Sequence, residues 1–341
     1  MELTKRKQNI LASIVNGYVR TGEPVGSKSI AEAAGVSSAT VRNEMAELTE
    51  LGLLEQPHTS AGRIPSQRGY REFVDNLMEP VTLPEDERLT LDAMLAKSAF
   101  DPERLLRGAA HTLSAATRYL AVSTTPSGAS AKIKGVQFVQ TSRRTAMLIM
   151  MSSAGTMKNK VFHCDFDLSN EIMRIFFRVL NERVTGRDVA EINRAFIQSL
   201  AISFGDLAII MSPALAALLE VAGETMQTEV SLSGQMNLLF YPEYKLGGAR
   251  RVMDFVERHE ALVSLLEGKP NRTQIRIGLE SGRNELADSS VVSARYSVNG
   301  SNAGAVAVIG PMRMPYARVA AQTAYIADRV GEMLTRIMRE E

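Results

Sequence analysis

Ser27-Lys28-Ser29-Ile30-Ala31-Glu32-Ala33-Ala34-Gly35-Val36-Ser37-Ser38-Ala39-Thr40-Val41-Arg42-Asn43 is the stretch that decides how this chain is read. It has the spacing of two short helices joined by a tight turn. In the first helix Ile30, Ala31 and Ala34 share one side, and Ala31 is small where two helices approach closely. Gly35 stands where such a turn calls for a positive φ. Ser37 is placed to cap the second helix, predicted over 38–51, and Gly52 ends it. Val41, Met45 and Leu48 recur at i, i+4 and i+7 and so face a core. Ala39, Arg42, Asn43 and Ala46 are thereby turned outward, with Thr40 at the edge and Ser38 opening the helix. These side chains suit a DNA major groove. Arginine pairs bidentately with guanine, asparagine with adenine, and alanine meets a thymine methyl.

The flanking sequence extends this helix-turn-helix into a winged helix. Upstream, Ile10, Leu11, Ile14, Val15, Tyr18 and Val19 form a helical stripe, broken at Thr21–Pro24. Downstream, Leu53–Gln56 reads as a short strand, Pro57–Arg63 as a loop, and Ile64 as the start of a return strand. The loop residues His58, Thr59, Ser60, Gly62 and Arg63 are small or polar with a cation at the tip, suited to a phosphate backbone or a minor groove. Arg68 and Arg71 join Arg63 as candidate DNA contacts, because no acidic residue intervenes between Gln56 and Arg71. A further helix is expected with Tyr70, Phe73, Val74, Leu77 and Met78 as its buried stripe. Residues 1–80 hold nine basic and ten acidic side chains, and the whole chain carries only +1. Tight nonspecific DNA binding is disfavoured by that balance. A selective reader with locally placed positive charge is compatible with it.

The rest of the 341 residues, 45 % hydrophobic and 23 % charged, is enough for one or two further globular domains. After a proline-containing linker at 79–84, helices are predicted at 85–96 and 102–120, and strands at 134–140, 145–151 and 157–162. A mostly helical stretch follows at 168–226, then a helix at 250–266, strands at 274–279, 291–298 and 303–309, and a final helix at 316–338. The expected class is α+β and multidomain. A winged helix occupies 1–80, an α/β sheet domain 85–165 plus 246–341, and a helical insertion 166–245. A single cysteine, Cys164, forms no internal disulfide and fits a reducing compartment. The apolar runs are too short for a bilayer and the N-terminus lacks a signal-peptide stretch, so a cytoplasmic protein without a membrane partner is expected.

The chemistry of an enzyme is not expected. His163 and Cys164 are neighbours on a strand and point to opposite faces, which keeps the imidazole from activating the thiol. Four histidines and one cysteine show no metal-ligand spacing, and no glycine-rich loop is placed to cradle phosphate. No catalytic residue, cofactor or metal is expected. The stretch 309–314, between a strand and a helix, reads as a structural junction. A ligand-responsive regulator, whose sheet domain takes a metabolite, is the competing reading.

Four stretches resemble the heat-inducible transcription repressor HrcA family. They are Ser38-Ala39-Thr40-Val41-Arg42-Asn43-Glu44-Met45, Leu51-Gly52-Leu53-Leu54, Pro57–Pro65 with Gly69-Tyr70-Arg71, and Val308-Ile309-Gly310-Pro311-Met312-Arg313-Met314-Pro315-Tyr316. Ser66, Phe73 and Pro315 depart from the family's commoner Thr, Tyr and Asp. The resemblance implies a GAF-like domain interrupted by a dimerising insertion, and a homodimer on double-stranded operator DNA of the inverted-repeat CIRCE type. It also implies the GroE chaperonin as the partner that sustains activity until heat stress.

Overall fold

A computed structural model describes residues 3–59, 61–126, 128, 131–245, 247–267 and 273–339. The N-terminal unit comprises α1 (Lys5–Thr21), α2 (Ser27–Ala34), α3 (Ser38–Glu50), β1 (Leu54–Glu55), β2 (Ile64–Pro65) and α4 (Gln67–Glu72). The last helix runs on through a π-helical turn at Phe73–Leu77. Ile10, Leu11, Ile14 and Val15 of α1 are buried in one core with Val41, Met45 and Leu48 of α3. Gly35 takes the expected positive φ, 65°, and the Ser37 side chain accepts from the Thr40 N–H at 3.1 Å. The strands pair antiparallel, Leu54 opposite Pro65 and Glu55 opposite Ile64. A winged helix is the result. Tyr70 and Phe73 are buried as expected, while Val74, Leu77 and Met78 are half-buried.

Beyond the linker come α5 (Glu85–Ala96), α6 (Pro102–Thr117) and β3 (Leu120–Thr124). Next are β4 (Ile133–Gln140), β5 (Thr145–Ser152), β6 (Met157–His163), α7 (Asn170–Val184), α8 (Arg194–Phe204), α9 (Leu207–Ile210) and α10 (Ser212–Met226). The chain closes with β7 (Val230–Ser233), α11 (Gly248–Val256), α12 (His259–Leu266), β8 (Gln274–Ile277), β9 (Ser289–Val298), β10 (Ser301–Pro311) and α13 (Tyr316–Arg339). Five strands form an antiparallel sheet in the order β7-β3-β10-β9-β8. Alternation along β10 serves two cores, as a pleated strand must. Val306 and Val308 pack toward α5, α6 and α13, while Ala305, Ala307 and Ile309 pack toward α11 and α12. The first of these cores is continuous with that of the winged helix.

Several sequence expectations are corrected. The helix predicted over 102–120 ends at Thr117, where Arg118 turns left-handed at φ 63°. Leu120–Thr124 is then a wholly buried central strand, so its unbroken apolar run lacks the alternation that marks a half-buried one. β7 was not foreseen. The helix expected at 250–266 is two helices, broken between Val256 and His259. The insertion also begins earlier and ends earlier than 166–245. β4, β5 and β6 form a separate three-stranded sheet, whose residues share a core with α7, α8 and α10. By contrast, β7 returns to the five-stranded sheet beside β3. The interrupting unit therefore spans about 131–226.

Candidate nucleic-acid interface

α3 presents one face to the core and another to solvent, and the sorting is electrostatic as well as apolar. Ala39, Arg42, Asn43 and Ala46 are exposed, while Ser38 and Thr40 are half-buried. The acidic side chains Glu44 and Glu47 turn toward α1. There Lys7 Nζ lies 2.6 Å from Glu47 and 3.6 Å from Glu44, with Arg6 3.7 Å from Glu44. The hydrogen bond to Glu47 holds the Lys7 ammonium above its ordinary value. Acids on α3 are thus matched by α1 cations and kept off the outward face. Two of the expected contact residues are engaged locally. The Ser38 hydroxyl bonds to that of Ser27 at 3.0 Å, which ties α2 to α3, and the Thr40 hydroxyl bonds to that of Ser37 at 2.8 Å. Among the described residues, Arg42 and Asn43 have no hydrogen bond or ion pair.

The wing is held against this helix. Val25 and Arg63 exchange backbone hydrogen bonds of 2.9 Å in both directions, which pins the return strand to the segment before α2. Gly62 permits the approach, since a Cβ there would lie 2.4 Å from the Val25 carbonyl oxygen. Gln56 Nε2 donates to the carbonyls of Thr59 and Ala61 and so organises the loop from within. Arg63 Nε donates to Thr49 Oγ1 at 3.0 Å, aligning the guanidinium along α3. A cleft of about 400 Å³ results, lined by Gly26, Ser27, Arg42, Met45, Gln56, Thr59, Ala61, Gly62 and Arg63. It brings together Arg42 from the helix with Thr59, Gly62 and Arg63 from the wing. His58 is exposed on the loop, and Ser60 lies outside the described residues. Gln56 and Ser27 were missed in the sequence. A lone glutamine or serine carries no signal until the loop it fastens is seen.

Two of the predicted basic contacts lie elsewhere. Arg68 is exposed, its Nη1 beside Gly52 at the C-terminal end of α3 and away from the cleft. Arg71 faces inward to the sheet domain. Its Nε donates to Glu280 Oε1 at 2.9 Å, its Nη1 to Asp75 at 3.0 Å, and its Nη2 to the Ile275 carbonyl at 2.6 Å and to Glu280 Oε2. The hydrogen bond with Glu280 holds its guanidinium above the ordinary range. The expectation that Arg71 meets DNA is therefore corrected, because its donors already have acceptors. The thiol pair behaves as its alternation predicts: Cys164 is buried and His163 is exposed, bonded to Thr145 at 3.1 Å. Burial pushes the Cys164 thiol up.

Residues 2–77 match the family model for the winged helix-turn-helix transcription repressor, HrcA DNA-binding. Residues 103–320 match that for the HrcA protein C terminal domain. Full-length similarity extends to heat-inducible transcription repressors HrcA of several bacteria. The protein of Moorella thermoacetica is 35 % identical, over 99 % of this chain and 100 % of its own. That of Desulforudis audaxviator is 33 % identical over 99 % and 100 %, and that of Acetivibrio thermocellus 31 % over 100 % and 99 %. A crystal structure of a hypothetical protein, 28 % identical, superposes with a TM-score of 0.69 and covers 98 % of this chain and 100 % of that one. These relatives are transcription repressors, not enzymes. Among the described residues no helix is long and apolar enough to cross a membrane.

Proposed function

The chain belongs to the HrcA family of heat-inducible transcription repressors, and from that premise we propose that it silences heat-shock chaperone operons in the cytoplasm by binding, as a homodimer, an inverted-repeat operator of the CIRCE type. Ala39, Arg42 and Asn43 read base edges in the major groove, with Ser38 and Thr40 at its margin. His58, Thr59, Ser60, Gly62 and Arg63 of the wing follow the phosphate backbone, and Arg68 reaches a flanking phosphate. The observation that carries this reading is the pair Arg42 and Asn43, exposed and unpartnered on a helix whose acids are all matched elsewhere. Unpaired donors of these two types are what base-edge readout needs.

An inverted repeat demands two-fold symmetry in its reader. The sheet domain is read as GAF-like and the insertion as the dimerising unit. In support of the latter, the insertion exposes Ile175, Phe177, Ile202 and Ile209, with Ile202 82 % and Ile209 72 % accessible. Apolar surface of this kind is what an interface covers. The GroE chaperonin sustains the active form, and heat-unfolded clients that occupy the chaperonin release the operons.

A gel shift with footprinting on a CIRCE-type duplex, with and without chaperonin, tests the proposal against a control with one arm scrambled. Protection of both arms, lost when one arm is scrambled, supports it. Equal weak binding to both duplexes, even with chaperonin added, would sink it. A second reading has one observation behind it. A cleft of about 260 Å³ lies between the winged helix and the sheet domain, with Tyr18, Tyr70, Glu243 and Arg313 on its walls. A metabolite held there would make this a ligand-responsive regulator, and a thermal-shift screen distinguishes the two.

A further inference from the structure

The winged helix is fastened to the sheet domain at two separate points, each by one guanidinium. At the first, Arg71 of α4 grips Glu280 through both Nε and Nη2 and also donates to the Ile275 carbonyl. Glu280 is itself oriented, because its Oε2 accepts from the Ile277 N–H at 2.9 Å. At the second, Arg313 reaches back from the junction between β10 and α13. It donates to both carboxylate oxygens of Glu243 and, through Nη1, to the Val19 carbonyl of α1 at 3.4 Å. Between these points the rings of Tyr70 and Tyr316 meet edge to face at 5.9 Å, and Gln67 Oε1 accepts from the Leu279 N–H at 3.3 Å. The side chains are only 30 % and 29 % exposed in the first clamp and 16 % and 23 % in the second.

One attachment fixes a position but leaves rotation free. Two attachments on different helices, α4 and α1, fix rotation as well. Fork-shaped guanidinium–carboxylate pairs are directional, unlike a point charge. A reader on a loose tether engages half-sites across a range of separations. A reader held rigidly engages only the separation that matches it. One added base pair shifts a half-site by about 3.4 Å and turns it by about 35° around the duplex.

We propose that Arg71 and Arg313 are positioning residues that determine operator specificity. Through Glu280 and Glu243 they hold each winged helix at one angle on its sheet domain, and so set the half-site spacing that the dimer accepts. This inference rests on the dimeric inverted-repeat reading above. It gives Arg71 a part in DNA selection without a DNA contact, and it gives the β10–α13 junction a task beyond connecting two elements.

The test uses the full-length chain with chaperonin present. Affinities are measured by fluorescence anisotropy on inverted repeats whose spacer is lengthened or shortened by one and by five base pairs, and on an isolated half-site. The wild-type chain is expected to show a sharp optimum. Arg71→Gln and Arg313→Gln are expected to cut the preference for that optimum over its one-base-pair neighbours by about tenfold, with half-site affinity unchanged. Glu280→Gln alters the other half of the first clamp without touching the winged helix, and it is expected to flatten the profile as Arg71→Gln does. An equal loss on every duplex, half-site included, with the spacing profile intact would make Arg71 a phosphate contact and overturn the proposal. An unchanged profile in all three variants would overturn it too. A flat profile in the wild type would overturn the inverted-repeat reading itself and this inference with it.

Discussion

Arg42 and Arg71 belong to one winged helix and carry the same side chain, yet their surroundings are opposite. Arg42 ends in a cleft with no partner among the described residues, beside a wing whose shape depends on Gln56 and Gly62. Arg71 ends among two carboxylates and a carbonyl. The reading face is kept open by moving its acids to α1, whereas the seam is closed by placing acids directly against each cation. A cation reads DNA only where the fold has withheld its acceptors. Counting arginines along the chain does not reveal that distinction.

The comparison breaks first at the reading face. Arg42→Ala and Asn43→Ala are each expected to remove about 1–3 kcal/mol of discrimination against a scrambled arm, or about 5–150-fold in relative affinity. Neither side chain has an internal bond, so thermal unfolding should not move. Retained discrimination in both variants, measured by competition at fixed salt, would show that α3 is not the reader. Arg63→Ala comes next. It should weaken binding to specific and scrambled DNA alike and lower the slope of log affinity against log salt by about 1. A selective loss on the specific duplex would place the wing in base readout. Ser37→Ala removes the cap of α3 and is expected to cost about 1 kcal/mol of stability, seen in chemical denaturation. No change there would mean that the first turn of α3 is held by the Ser27–Ser38 bond alone. Arg68→Ala should have the smallest effect, a few-fold at most, confined to low salt where flanking phosphates count. A loss as large as that of Arg42→Ala would redraw the footprint around the end of α3.

The winged helix was legible because its signals are local. Val41, Met45 and Leu48 declare a helix face within two turns, and the Gly35–Ser37 turn and Gly52 stop lie inside the same window. The seam was not legible, because Arg71 and Glu280 are 209 residues apart and nothing in the local sequence of either names the other. The same holds for β3. Leu120, Ala121 and Val122 follow a helix with no polar alternation, and only their antiparallel partners, Ser231–Ser233 and Ala307–Ile309, make them a strand. The insertion boundary failed for that reason too. Periodicity identified β4, β5 and β6 as strands but could not say which sheet they joined.

The sheet order also fixes a schedule. β3 is made early, but β7 is separated from it by the whole interrupting unit, and β10, its other neighbour, comes near the end of the chain. At about 5–20 residues per second of synthesis, the backbone of Leu120–Thr124 waits on the order of ten seconds or more with both edges unpaired. An apolar strand with open edges is a template for wrong pairing. The arrangement that gives the finished protein its rigid centre therefore makes each newborn copy a lingering customer for whatever folding help the cell has to spare. In a protein proposed to report on that help, the delay would itself be the gauge.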